Sequence, residues 1–357
     1  MSAVCKPLFW LLFSVACAHC GSRASRHIRP AFYSWQTRYQ PDSSVLACLD
    51  AARCQALYLK IFDIGRDPSS GAVQPCARLE IADTAGLRGR EIIPCIFIAN
   101  AVFESTGPEP VDRLAAKIAV ALREHPVYNL LEPGWELQFD CDWTAGTRAA
   151  FFHFLRRMRT QLPRSTRLSA TIRLHQYKYP DQTGVPPLDR GMLMFYNTGD
   201  IDDPDENNSI FDYGDAKQYL NGAPRHYPLP LDVALPIFSW SLVYRDGALW
   251  KIIPGLQPAE LADTAFFQAE AVERAAAARP AWTVRRPTLR EGHYLRPGDF
   301  VRWEALSPAQ LRDVAGLAAQ FDLAPDARAA FFHLDPDLIR RFPAGYLHDV
   351  FRILEIQ

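Results

Sequence analysis

What this chain of 357 residues lacks narrows its class first. It has no excess of either charge, with 39 Lys and Arg against 40 Asp and Glu. That balance argues against a basic nucleic-acid surface and against an acidic disordered tail, so no nucleic-acid partner is expected. Past residue 20 there is no CxxC pair and no His/Cys cluster at zinc spacing, so no metal and no cofactor is expected. "DCD" (140–142) with His175 is the weak alternative set of metal ligands. No Gly-rich loop follows the first strand-like segment, which removes the usual sign of an open dinucleotide-binding sheet. No GxSxG elbow is present, which argues against that kind of serine hydrolase. Internal repeats and low-complexity segments are absent as well.

What the chain does have is apolar side chains and proline. It is 48% hydrophobic and 12% aromatic, ample for a sizeable core. Its 28 prolines gather in connections such as "GPEP", "VPPL" and "YPLPLD", where they stiffen loops.

The first residues predict an export signal over 1–20. Lys6 supplies the positive charge, "PLFWLLFSVACA" (7–18) is an apolar core too short for a comfortable membrane span, and small residues follow. "SVAC" resembles a bacterial lipobox that would make Cys17 a lipidation candidate, with Ser14 where leucine is usual. The expected location is outside the cytoplasm, either periplasmic or as a lipoprotein anchored in a bacterial membrane. The alternative is an apolar N-terminal helix of a cytoplasmic protein. An exported chain favours disulfides, and Cys48 with Cys54, then Cys76 with Cys95, are the candidate pairs. Cys141 is expected to be a buried free thiol. The sequence sets no oligomeric state.

Past Arg29, strand-like and helix-like patterns alternate. Strands are predicted at 31–39, 56–65, 91–100, 135–143, 167–176, 191–199, 231–240 and 328–335. Between them, "VDRLAAKIAVALREH" (111–125) repeats Leu114, Ile118 and Leu122 along one helical face. "SPAQLRDVAGLAAQF" opens on a Ser cap with Pro at the first helical position. "SLVYRDGALWKI" reads as a hairpin turned at Asp-Gly, and the Ala-rich 259–278 reads as a helix. About eight such units predict an α/β protein, a (β/α)8 TIM-type barrel with insertions. The reading is a single barrel domain over 30–357 whose C-terminal third, 250–357, is irregular. An open doubly wound sheet is the runner-up.

In such a barrel the C-terminal ends of the strands face the active-site mouth. Strand four, "WELQFDCDW", places Gln138, Asp140 and Asp142 on one face and Leu137, Phe139 and Cys141 on the other. The apolar face packs on helices, so the polar face is the barrel interior. Two neighbouring carboxylates there repel each other, which raises one pKa. The other strand ends bring Trp35 and Gln36, Lys60 and Asp63, Asn100, Arg173 with His175 and Gln176, Tyr196 and Asn197, and Trp240. His333 and Asp335 end the eighth. Aromatics that stack on sugar faces, with amides, carboxylates and a guanidinium for hydroxyls, predict a carbohydrate cleft.

"LQFDCDWT" followed by a helix resembles the fourth strand of the chitinase-type glycoside hydrolases, which carry DxxDxDxE. "RGMLMFYNTG" resembles their sixth strand with its Met-x-Tyr-Asp, and "ALPIFSW" their seventh. The whole chain is similar to a bacterial group of glycoside-hydrolase-like (β/α)8 barrels with "QxDxD" on strand four and "LSxT" on strand five, over roughly residues 30–250. The resemblance implies that Asp142 is the carboxylate that orients the substrate and that Asp140 tunes it. The general acid of the pattern is a Glu, and Thr144 stands in its place. Leu137 stands at the first Asp position, and Asn197 replaces the Asp after the sixth-strand Tyr.

Three readings follow. In one, a hydrolase uses Asp140 or Asp142 as catalytic acid with a relocated partner such as Asp63, Asp200 or Asp232. In another, the barrel binds glycan without cleaving it. In the last, a cell-envelope protein keeps a polar interior for folding alone. Arg173 is expected to hold the Asp pair, and His175, Gln176, Tyr196 and Trp240 to touch the sugar.

Overall fold

The computed structural model describes residues 26–224, 226–270 and 280–355. The expected signal at 1–20 and its Cys17 lie outside the described residues. Eight parallel strands close into a barrel: Arg29–Ser34, Ala56–Arg66, Glu91–Ile98, Glu136–Asp140, Arg167–Arg173, Arg190–Met194, Leu231–Pro236 and Arg328–Phe332. Each is hydrogen-bonded to its neighbour in chain order, and the first pairs with both the second and the eighth. This is the α/β TIM-type barrel that the alternating pattern predicts.

The sequence explains the outer ring. Helix Pro108–Arg123 begins with Pro and Glu in its first turn and ends on Arg, which suits the helix dipole. It buries Val111, Ala115, Ile118, Ala119 and Leu122 along one face. Helix Arg148–Gln161 presses Phe151, Phe154, Leu155 and Met158 inward, and Phe154 meets Phe139 of strand four edge-on at 5.3 Å. Helix Pro308–Ala318 carries the expected Ser307 cap, completed as a capping box by Gln310. Among the described residues no helix is long and apolar enough to cross a membrane.

The lower end of the barrel is sealed by ions. Strands three, four, six and eight start at Glu91, Glu136, Arg190 and Arg328, and Asp232 is the second residue of strand seven. Arg328, 1% exposed, reaches Glu136 at 2.9 Å, Asp232 at 3.3 Å and Glu91 at 2.7 Å. Arg29 and Arg167 close on Glu91, and Arg190 on Asp232 and Asp326, each at 2.8–2.9 Å. Ser169 donates to Glu136 at 2.6 Å. Asp232, weighed above as a catalytic partner, is therefore at the opposite end from the strand-four pair. It lies near the start of its strand, and a carboxylate near a strand start falls at the bottom of a parallel barrel.

The C-terminal third is more ordered than its sequence suggests. Between strands seven and eight sits a five-stranded antiparallel sheet, in spatial order Ala248–Ile253, Ser239–Arg245, Phe300–Ala305, Ala281–Val284 and Phe267–Ala269. It has its own small core of Val243, Ile253, Leu256, Leu261, Phe267, Val284, Leu295 and Val301. The expected hairpin is its first pair, turned at Asp246 and Gly247 with both φ positive. Among the described residues, the helix expected over 259–278 is present only as the single turn Pro258–Leu261, and Phe267–Ala269 is a strand. Residues 271–279 lie outside the described ones.

All five described cysteines are free thiols, which corrects both candidate disulfides. Cys76 lies on Val73–Arg78, an antiparallel strand added outside strand two, while Cys95 points into the barrel from strand three. Strand two runs between them, so their Cα atoms are at least about 10 Å apart, beyond bridging reach. Cys54 is buried with its thiol donating to the Ala56 carbonyl at 3.2 Å, and burial pushes its pKa up to about 12. Cys48 is half-buried on helix Ser43–Ala51. Cys141 is buried, 1% exposed.

Candidate functional site

At the upper end, all eight strands contribute to one cleft. Trp35, Lys60, Asp63, Phe97, Asp140, Asp142, Arg173, Tyr196, Asn197, Trp240, Phe332 and His333 are on the wall of a cavity of about 410 Å³. A second chamber of about 360 Å³ lies beside it, sharing Asp142, Arg173, Met194, Tyr196 and Asn197, and adding Thr144, His175 and Tyr219. Both volumes fall in the usual range for a small-ligand site.

Strand four behaves as its alternation requires. Gln138 points into the barrel, Phe139 out to the helices, and Asp140 into the cleft. Asp140 is 8% exposed and accepts a hydrogen bond from the Thr171 hydroxyl at 2.7 Å. Burial pushes its carboxyl up to about 6; the Thr171 bond pulls it down, nearby Asp142 pushes it further up, and Arg173 and Lys60 pull it down. Asp142, the next on that face, is half exposed and paired with Arg173 Nε at 2.8 Å. Arg173 thus holds one member of the pair rather than both.

Strand two depends on a defect. Lys60 and Asp63 have opposite parity and would face opposite ways on a regular strand. A bulge between Lys60 and Phe62 inserts one residue and resets the alternation. Both side chains then reach the cleft and pair at 2.9 Å. The Lys60 ammonium also lies 5.2 Å from the Trp35 ring centroid, a cation–π contact.

The aromatic wall is fixed from behind. Trp240 is the second residue of the inserted sheet and donates its indole N–H to Glu304 at 2.7 Å. Glu304 is buried, accepts from both the backbone N–H and the hydroxyl of Ser209, and pairs with buried Arg302 at 2.8 Å. Tyr196 stacks on Phe332 at 5.7 Å, and its hydroxyl is held neutral by burial and by Asp140. Asn197 takes a left-handed φ of 57°, a conformation asparagine tolerates, and turns the chain into the loop that carries Ser209.

The structure sorts the sequence candidates. Trp35, Lys60, Asp63, Asp140, Asp142, Arg173, Tyr196, Asn197 and Trp240 meet in the first chamber, and His175 lines the second. Burial holds the His175 ring neutral, with Arg173 acting the same way. Four candidates are behind the wall instead. Gln138 accepts from Tyr33 at 2.6 Å inside the barrel. Strand five ends at Arg173 and turns into helix Leu174–Lys178, so Gln176 is buried, accepting from the Arg173 N–H and donating to the Trp143 carbonyl. Asn100 accepts from Thr147 at 2.6 Å, and Gln36 donates to Asp335 at 2.9 Å on the rim. Ser239, Pro254 and Tyr219 line the chambers without having been singled out. They come from the inserted sheet and from helix Tyr213–Leu220, and only the fold brings them there. Among the described residues no group of three or more His, Cys, Asp or Glu side chains is placed to hold a metal ion.

No protein-family model and no curated protein matches the chain. Solved structures do. A chitinase from Chromobacterium violaceum is 13% identical, covering 93% of this chain and 100% of its own, with a TM-score of 0.52. The spore cortex-lytic enzyme SleL of Bacillus megaterium is 14% identical over 93% of this chain and 75% of its own, at 0.51. A chitinase from Rhizomucor miehei is 11% identical over 90% and 99%, also at 0.51. The resemblance drawn from strands four, six and seven therefore holds at the level of the fold, which this chain shares with chitinase-type glycoside hydrolases.

Proposed function

We propose that this barrel holds a carbohydrate in its upper cleft and grips it without the cleavage step that the strand-four pattern serves elsewhere. The observation that carries this reading is the convergence of Lys60, Asp63, Asp140, Asp142 and Arg173 with Trp35, Tyr196 and Trp240 on one cavity. Polar groups of both signs suit hydroxyls, and the rings suit sugar faces. The fold neighbours point the same way: two are chitinases and one is a cortex-lytic enzyme. The absence of cleavage is supported at Thr144, which is exposed on the second chamber where a carboxylic acid would protonate the leaving oxygen. A threonine hydroxyl does not give up a proton near neutral pH.

A second reading, a hydrolase with relocated chemistry, is favoured by one observation. The Asp140 carboxyl at about 6 has the raised value of a general acid. Calorimetric binding and reducing-end release, measured on the same glycans, separate the two. Binding without release supports the proposal. Release with an optimum near pH 5 to 6, lost in Asp140→Asn, would replace it with the hydrolase. Loss of all binding would sink both.

The same proposal places the protein outside the cytoplasm, as a periplasmic protein or as a lipoprotein held by Cys17. Support comes from the leader-like composition of residues 1–20. Cell fractionation of the wild type beside Cys17→Ala tests it: a soluble cytoplasmic protein in both would overturn it.

A further inference from the structure

The cleft holds three carboxylates and two cations, and pairing leaves one carboxylate over. Lys60 is engaged by Asp63 at 2.9 Å, and Arg173 by Asp142 at 2.8 Å. Asp140 has only the Thr171 hydroxyl. The groups that face it come from every side. Tyr33, Cys95 and Tyr196 are held neutral by burial, from strands one and three and the end of strand six. Cys141, beside it in sequence, is likewise held as the thiol by burial. His333, after strand eight, is kept uncharged by burial as well. Strand seven leads to Trp240, which carries no charge. The charges near Asp140 are therefore Lys60, Arg173 and Asp142, and both cations are already committed.

A buried carboxylate without a cation is costly, and it offsets that cost by taking a proton or by meeting a positive ligand. We propose that the cleft selects a sugar bearing a free, protonated amine, a deacetylated amino sugar, whose ammonium sits beside Asp140 as the missing partner. This rests on the glycan reading above and names the class of glycan. An ammonium gives charge-assisted hydrogen bonds to the carboxylate. An N-acetyl group at the same place brings no charge and leaves Asp140 without a cation of its own. Below about pH 6, binding the amine requires Asp140 to give up its proton. Affinity for the amine therefore falls as the pH drops through about 6, while the amine itself stays charged.

The test is calorimetric titration of the full chain with glucosamine and N-acetylglucosamine oligosaccharides of equal length, at pH 5 and pH 7. The amine form should bind about tenfold tighter at pH 7, and that preference should shrink by a similar factor at pH 5. Asp140→Asn should erase the preference, so that the two sugars bind alike at both pH values. Arg173→Gln, which frees Asp142, should enlarge the preference and so tests the charge argument through a variant that does not touch Asp140. Equal binding of the two sugars, or a preference that survives Asp140→Asn, overturns this inference and leaves the glycan reading standing. If neither these nor other glycans bind, the glycan reading falls and the inference with it.

Discussion

The two ends of the barrel handle charge in opposite ways. At the lower end Arg29, Arg167, Arg190 and Arg328 face Glu91, Glu136, Asp232 and Asp326, and each carboxylate has a guanidinium within 2.9 Å. At the upper end one buried carboxylate has no cation of its own, and two ion pairs stand partly open to solvent. A barrel needs its ends closed against water, and a balanced network does that at the bottom. Imbalance at the top costs stability and leaves the capacity to recognise something.

Breaking the lower end should have the largest effect. Arg328→Met takes from buried Glu136 its close cation and leaves Asp232 with Arg190 alone, and should cost about 3–5 kcal/mol in denaturant unfolding. If it costs under about 1 kcal/mol, the network is not what closes the barrel. The next effect has the opposite sign. The Asp140 carboxyl is raised in the folded state from 3.8 to about 6, so the fold binds the extra proton between those values. Its contribution is fully favourable below pH 3.8 and is lost as the pH rises through about 6. Asp140→Asn should therefore stabilise the protein well above pH 6, by about 3 kcal/mol, and make little difference at pH 4. Melting temperatures across that range check it; a variant less stable at pH 8 would break the contrast between the two ends.

Trp240→Ala should weaken glycan binding about tenfold. Arg328→Met, where still folded, should leave binding unchanged, because it lies at the other end. The smallest effect is expected at Asp142→Asn. Its pair with Arg173 is half exposed, so the unfolding free energy should move by less than about 1 kcal/mol. A larger loss would mean that this pair is scaffold and not surface.

Much of this was legible in the sequence because both periods were clean. Alternation placed Gln138, Asp140 and Asp142 on one face, and the helix after them buries Phe151, Leu155 and Met158 as its spacing requires. The errors came where local pattern yields to context. Residues 174–178 continue the apolar alternation of strand five, yet the chain turns helical at Leu174, and Gln176 is spent on the turn's own backbone. Of the inserted sheet, the hairpin at Asp246–Gly247 and a strand over 299–306 were legible, whereas Phe267–Ala269 and Ala281–Val284 are only three and four residues long and flank a stretch whose composition favours helix. The lower ion network was missed because charged residues at strand starts look like loop residues until the barrel gathers them. Parity alone cannot place both Lys60 and Asp63 in the cleft, since a bulge leaves no mark in composition.

The inserted sheet enters and leaves through partners. Ser239, its first residue, pairs directly with Ala305, its last, so its two ends are one strand spacing apart. The barrel therefore registers the insertion only as two adjacent attachment points, whatever length runs between them. Such a cassette can lengthen, shorten or be exchanged without disturbing barrel closure. Because it carries Trp240 and Pro254 to the cleft, any exchange would refit the binding wall at the same stroke.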